Sequence, residues 1–135
     1  NIQNNAIINI TKGLRKLGLL SGSLKSLIKN EAYKDFYMHG IGHWLGMDVH
    51  DVGAYLIERE PRCFEAGMVT TIEPGLYIPA DDTDAPAQLR GIGVRIEDDI
   101  LITDGDPENL TASCVKGIDE IEDMMRQSPR WVRNL

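Results

Sequence analysis

Three histidines lie within twelve residues of this 135-residue chain, which has no other histidine. His39, His43 and His50 stand in the segment 39–51 among glycines and two aspartates. Imidazole nitrogens and carboxylate oxygens are both metal ligands, and imidazole also acts in acid–base catalysis. The segment 39–51 is therefore the first candidate for a chemical site.

The spacing of His39 and His43 is that of the helical zinc motif H-E-x-x-H, but the motif is not fulfilled. Gly40 occupies the position of the catalytic glutamate, and residues 39–46 hold three glycines. Each glycine costs a helix about 1 kcal/mol relative to alanine, so strand and loop are predicted here. Spacing alone leaves a structural or supporting role for the imidazoles open.

Two glutamates stand where secondary structure would hold them rigidly. Glu73 ends the β-branched run 68–73 and precedes Pro74-Gly75, a pair that terminates strands. Glu97 lies in the run 91–103, where period-2 alternation predicts one long strand. Its polar face would carry Arg95, Glu97 and Asp99. Its other face would build core with Ile92, Val94, Ile96, Ile100 and Ile102.

Each glutamate also has a plain structural interpretation. Glu73 could face solvent at a strand end, and Arg95 with Glu97 could form a surface ion pair. Against this, a carboxylate on an apolar strand is costly to bury unless it is paired or binds metal. One histidine with several carboxylates is a hard ligand set that suits Mn²⁺ or Mg²⁺ and can bridge two ions. Such a pair of ions would support hydrolysis.

The elements that must position these residues follow from apolar periodicity and turn signals. Helical spacing predicts an amphipathic helix over 5–17 with Gly18 as its stop, and a shorter helix capped by Ser23. Residues 54–66 are predicted to be an exposed excursion, and 79–90 a polar loop. A strand resumes over 76–78, an acidic helix covers 118–125, and 128–135 form a tail.

Composition narrows the function classes. The net charge of −7 argues against a nucleic-acid partner, since phosphate binding needs a basic face. No apolar run approaches the ~20 residues of a membrane span, so we expect no membrane partner and a cytoplasmic location. Cys63 and Cys114 lack a C-x-x-C partner and are predicted to be buried free thiols.

Three ordered blocks between residues 39 and 99 resemble the C-terminal half of the pita-bread metallopeptidases. The blocks are 39–51, T-I-E-P-G-L-Y at 71–77 and R-G-I-G-V-R-I-E-D-D at 90–99. Within that family they most resemble the Xaa-Pro aminopeptidase branch, with prolidase next. The implied fold is α+β, half of a pita-bread domain, with a curved antiparallel sheet and flanking helices.

The resemblance also implies roles for individual residues. His43, Glu73 and Glu97 match metal ligands, with Glu97 as the bridging carboxylate and Glu73 also a general base. His39 and His50 match histidines of the substrate site, and Arg95 matches an arginine that supports the ligands. The implied cofactors are two divalent ions, most simply Mn²⁺. The implied reaction removes the N-terminal residue from a peptide with proline at its second position.

The family pattern further requires two aspartates and a histidine upstream, and residues 1–38 do not supply them. We therefore expect residues 1–135 to be a single segment, the C-terminal portion of a metallopeptidase catalytic domain and a fragment of a longer chain. Alone it should be inactive, bind metal weakly and self-associate through the apolar face that met the other half.

Other functions remain open from the sequence. Prolidase, which takes only dipeptides, is the alternative within the enzyme class. A non-catalytic pita-bread domain that binds peptides or proteins is an alternative of another class. A third is a structural domain whose histidines pack in its core.

Overall fold

The computed structural model describes residues 1–127, so the predicted tail 128–135 lies outside the described residues. Within them, helices precede the histidine segment and one helix follows the last strand. The helical elements are α1 (Ile2–Lys16), α2 (Leu24–Lys29), two short 3-10 segments (Ala32–Asp35 and Ala87–Leu89) and α3 (Ile118–Arg126). Each helix predicted from periodicity is present, with its bounds shifted by a few residues.

The ends of the first two helices follow from local chemistry. The Asn1 side chain accepts a hydrogen bond from the Asn4 backbone N–H, which starts α1 three residues before the predicted position. Gly18 follows the helix with φ of +77°, a conformation that glycine adopts at little cost. Ser23 caps α2 as predicted, its hydroxyl accepting the Ser26 N–H at 3.2 Å.

Seven short strands form three antiparallel sheets in the described residues. The strands are β1 (Leu56–Ile57), β2 (Glu60–Pro61), β3 (Val69–Ile72), β4 (Gly75–Tyr77), β5 (Gly93–Arg95), β6 (Asp98–Leu101) and β7 (Glu108–Asn109). β3 pairs with β6 and β6 with β7, β4 pairs with β5, and β1 with β2 forms an exposed hairpin. The predicted antiparallel pairing is confirmed, and the excursion 54–66 is exposed apart from Arg62.

The prediction of one continuous strand over 91–103 is wrong, because residues 96 and 97 belong to no strand. β6 pairs Asp98 with Ile72, whereas β5 pairs Arg95 with Gly75. The two pairings continue one register, in which Glu73-Pro74 would face residues 96–97. The ladder is interrupted at that point. Proline has no N–H to donate, and two glutamates directly opposite would repel each other.

This interruption also changes the predicted core. Val94 and Ile96 are about half exposed, at 52% and 48%, so that part of the predicted apolar face is wrong. Ile100 and Ile102 are half-buried. The fully packed cluster instead joins α1, the first 3-10 segment and the chain after β4. Its members are Leu14, Tyr33, Phe36, Tyr37, Ile78 and Ala85.

Both cysteines are free, as predicted, but the prediction that they are buried is wrong. Cys63 follows the exposed hairpin, and Cys114 lies in the turns after β7. Both residues are exposed. Over residues 1–127, no helix combines the length and apolar character needed to cross a membrane.

Candidate metal centre

The histidine segment is held in place by β3. Residues 41–45 run antiparallel to that strand on the edge opposite β6. Three backbone hydrogen bonds join the segment to the chain at β3, from Leu45 to Val69 (3.1 Å), from Thr71 to His43 (2.9 Å) and from Glu73 to Ile41 (2.7 Å). His43 and Glu73 are therefore fixed to one another through backbone structure, and the segment is not helical, as predicted.

Glycine at position 42 allows the two chains to approach this closely. A Cβ added at Gly42 would overlap the carbonyl oxygen of Thr71, which is backbone and cannot swing away. The space beside the candidate ligand His43 therefore admits glycine but no residue with a Cβ.

The side chains of His43 and Glu73 meet at the centre of the site. His43 Nε2 lies 3.1 Å from Glu73 Oε1, and the two side chains are only 17% and 12% exposed. The other ring nitrogen, Nδ1, is 3.0 Å from the carbonyl oxygen of Trp44, which can only accept. In a neutral ring Nδ1 therefore carries the single proton, and Nε2 directs its lone pair toward a carboxylate oxygen. A cation or a second proton would stabilise that arrangement.

Glu97 completes a group of three possible ligands. One ligand atom each from His43, Glu73 and Glu97 lies within 4.8 Å of the others. The interrupted ladder explains why, since its register continued across the gap places Glu73 opposite Glu97. Donors about 2.1 Å from an octahedral ion lie about 3.0 Å from their neighbours, close to the 3.1 Å between His43 and Glu73. The donor set of one imidazole and two carboxylates fits a divalent cation.

Two other predicted site residues border this group. Arg95 Nε lies 3.8 Å from Glu73 Oε2, a charge contact too long for a hydrogen bond, and its side chain is half exposed. No ion pair joins Arg95 to Glu97 among the described residues, so the alternative of a surface pair between them is wrong. The ring of His50 packs edge-on against His43, with centroids 4.4 Å apart.

His39 lies in a different environment, between two tyrosines. Its Nδ1 is 2.7 Å from the Gly40 carbonyl oxygen and its Nε2 is 3.0 Å from the Tyr77 hydroxyl. The Tyr37 ring packs edge-on against it at 4.9 Å. Burial raises the pKa of the Tyr37 hydroxyl, which keeps that group neutral. Both nitrogens of His39 therefore already have partners within the chain.

The sequence reasoning missed two side chains that contact the candidate residues. Tyr77 bonds His39, and no signal in the sequence indicated this. Thr71 is 1% exposed, and its hydroxyl lies 3.0 Å from both the His43 N–H and Glu73 Oε1. Thr71 stands two residues before Glu73 on a predicted strand, so the shared face could have indicated it.

Comparisons with known proteins place the chain among metallopeptidases. A family model described as metallopeptidase family M24 matches residues 1–104. Xaa-Pro aminopeptidase of Escherichia coli strain K12 is 57% identical over 116 residues, which are 86% of this chain and 26% of that protein. The chain therefore spans about a quarter of the length of this relative.

Solved structures give the same result. Aminopeptidase PepP of Pseudomonas aeruginosa matches with a TM-score of 0.88 and 52% identity over 91% of this chain and 28% of that one. Aminopeptidase P of E. coli with the inhibitor Pro-Leu matches with a TM-score of 0.82 and 55% identity over 88% and 27%. The likeness in both cases extends over most of this chain.

Proposed function

Because this chain belongs to metallopeptidase family M24, we propose that it supplies part of the active site of an Xaa-Pro aminopeptidase. The observation that carries the proposal is the convergence of His43, Glu73 and Glu97 within 4.8 Å. The likeness to aminopeptidase P structures, at identities above 50%, confirms the α+β pita-bread fold predicted from the sequence.

Membership in this family implies divalent metal ions, and His43, Glu73 and Glu97 are the residues proposed to hold them. Two ions and their identity as Mn²⁺ are proposed from the hard oxygen-rich donor set. When bound, such ions supply Lewis acidity at the carbonyl under attack and activate water near neutral pH. The protein's contribution is to keep the three donors oriented before the ions arrive.

The remaining predicted residues have supporting roles in this proposal. Glu73 is also proposed as the general base, because its Oε2 is engaged only by the long contact to Arg95. Arg95 restrains that oxygen. His50, exposed beside His43, is placed to stabilise charge that develops on a substrate. His39 is proposed to line the substrate site through its pairing with Tyr77.

The proposed substrate is a peptide with proline at its second position. Such a peptide has a tertiary amide at the scissile bond and so lacks an N–H there. Support comes from the relatives, which are Xaa-Pro aminopeptidases, and from the E. coli structure whose inhibitor is Pro-Leu.

We further propose that residues 1–135 form the C-terminal portion of the catalytic domain of a longer protein. The chain spans 26% and 28% of two such relatives. Two upstream aspartates and a histidine in the same reading frame would support this, and their absence would contradict it. The isolated chain is proposed to be inactive.

Self-association of the isolated chain is proposed from an open apolar cavity of about 560 Å³ between α1 and the sheet of β3 and β6. Ile10, Ile72 and Ile100 are among its lining residues. Sedimentation should show oligomers at high micromolar concentration, and a clean monomer would contradict the proposal.

A chimera tests the proposed activity. The 116 matched residues of this chain replace the corresponding residues of the E. coli Xaa-Pro aminopeptidase. The chimera is assayed on a tripeptide with proline at its second position. We expect Mn²⁺-dependent release of the first residue, lost on Glu97→Ala. A folded, Mn²⁺-loaded chimera without turnover would contradict the proposal and favour a non-catalytic binding domain.

A further inference from the structure

We infer that Thr71 is a positioning residue of the metal centre, whose buried hydroxyl aims the Glu73 carboxylate at His43. This inference rests on the proposed function, since it assigns Thr71 a task only if Glu73 and His43 act as ligands. It concerns neither a ligand nor a residue that touches substrate.

At Thr71 a side-chain oxygen takes the place of a backbone acceptor in the ladder. In an antiparallel ladder, every second facing pair exchanges two bonds, each residue donating its N–H to the other's carbonyl oxygen. The Thr71 N–H donates to the His43 carbonyl oxygen at 2.9 Å. In the reverse direction, the His43 N–H donates to Thr71 Oγ1 at 3.0 Å and not to the Thr71 carbonyl oxygen. A side chain has therefore replaced a backbone acceptor beside a candidate ligand.

The neighbours of the Thr71 hydroxyl fix the direction of its proton. A hydroxyl has one proton to donate, and the His43 N–H already takes one of its acceptor positions. Glu73 Oε1, 3.0 Å away, is an acceptor, so the proton points to it. Thr71 is 1% exposed, so solvent does not compete for this hydroxyl. The carboxylate is thereby held with the same oxygen 3.1 Å from His43 Nε2.

Thr70 provides a matched control on the same strand. It is also buried, and its hydroxyl donates to the His43 carbonyl oxygen at 3.0 Å. Unlike Thr71, it has no hydrogen bond to Glu73. Replacing either threonine with valine removes a buried hydroxyl that contacts His43, but only one of the two replacements releases the carboxylate.

The test measures Mn²⁺ binding to the full 135-residue chain by electron paramagnetic resonance of free Mn²⁺. We expect Thr71→Val to weaken binding about 10–100-fold, the usual effect of removing a partner that orients a ligand. Thr71→Ser retains the hydroxyl and should bind like the wild type, as should Thr70→Val. If Thr71→Val does not fold, Thr71→Cys replaces it, because a thiol is only a weak donor.

A second readout needs no metal. The ¹³C resonance of the Glu73 carboxyl carbon should shift in Thr71→Val and remain in place in Thr71→Ser and Thr70→Val. Equal Mn²⁺ affinity in the two valine variants, or an unmoved Glu73 resonance, would overturn the inference. If Glu97→Ala leaves wild-type Mn²⁺ binding unchanged, the proposed metal site fails, and the Glu73 resonance still decides the role of Thr71.

Discussion

The two carboxylates of the candidate site are supported very differently. Glu73 follows a buried strand, is 12% exposed, accepts a hydrogen bond from Thr71 and lies against His43. Glu97 lies in the gap between β5 and β6, is exposed, and has no hydrogen bond or ion pair among the described contacts. The two facing segments therefore hold one candidate ligand through side-chain contacts and the other only through the position of its backbone.

This difference means that the fold positions the two carboxylates in different ways. The His43–Glu73 side is built by backbone hydrogen bonds over a sequence separation of about thirty residues, which makes its geometry part of the folded state. The position of the Glu97 carboxylate depends instead on the unpaired residues 96–97 between β5 and β6. Substitutions on the first side should alter both stability and metal binding, whereas those on the second should alter metal binding alone.

The largest effect on stability is expected for Gly42→Ala, which places a methyl group on the His43–Glu73 side of the site. The added methyl group would overlap the Thr71 carbonyl oxygen and force residues 41–45 away from β3. We expect a loss of about 3 kcal/mol or more, at or above the upper end for overpacking, because the obstructing atom is backbone. Urea unfolding followed by circular dichroism measures it.

Gly13→Ala is the matched control. Its Cβ would meet nothing within 4 Å, and Gly13 lies inside α1. Alanine should stabilise the helix there by about 1 kcal/mol. Equal destabilisation by both substitutions would show that the close approach at Gly42 has no special role.

A smaller effect is expected when each glutamate is replaced with alanine. Glu73→Ala removes the acceptor of a buried hydroxyl and should cost about 1–3 kcal/mol of unfolding free energy. Relief of like-charge repulsion offsets part of this loss, because a carboxylate oxygen of Glu97 lies within 4.8 Å of one of Glu73. Glu97→Ala should leave stability within about 0.5 kcal/mol.

Both replacements should weaken Mn²⁺ binding. Urea titration of the two variants measures the free energy of unfolding, and Mn²⁺ titration measures the affinity for the ion. If Glu97→Ala destabilises the chain as much as Glu73→Ala, the contrast between the two sides is wrong.

The smallest effect concerns Asp98, the neighbour of Glu97, and depends on pH. The Lys116 ammonium at 3.0 Å and the Thr111 hydroxyl at 2.8 Å hold the pKa of Asp98 below its ordinary value of 3.8. Its charged form therefore stabilises the fold above that value, and the stabilisation is lost as pH falls through the lowered native pKa.

Asp98→Asn should accordingly lower the urea midpoint at neutral pH, and the difference from the wild type should shrink in acid below the ordinary pKa. Asp123→Asn, at an exposed pair with Arg126, serves as control and should show little change at either pH. A difference for Asp98→Asn that persists unchanged in acid would contradict this account.

Local sequence signals predicted much of this arrangement. Turn and strand signals around Pro74-Gly75 placed Glu73 at a strand end, and glycine content excluded a helix at His43. The three helices also followed from periodicity. These features depend on residues that are neighbours in sequence, which is why pattern alone predicted them.

Contacts between distant segments could not be predicted in this way. The even-numbered positions of 91–103 are apolar except for Asp98, which lies inside β6. The ladder is interrupted at 96–97 instead, because Pro74 on the facing segment has no N–H to donate. Thr71 and Tyr77 acquire their roles only when residues 39–45 lie beside them. The exposed cysteines likewise reflect loops whose packing no local pattern specifies.

The central claim is that His43, Glu73 and Glu97 together bind a divalent cation. Nuclear magnetic resonance of the full chain during a Mn²⁺ titration tests it most directly, because paramagnetic broadening locates the ion. We expect the backbone amide signals of these three residues to broaden first, with binding weaker than micromolar in the isolated chain. Broadening that begins instead in the acidic loop at 81–84, or none at the three residues at millimolar Mn²⁺, would contradict the claim.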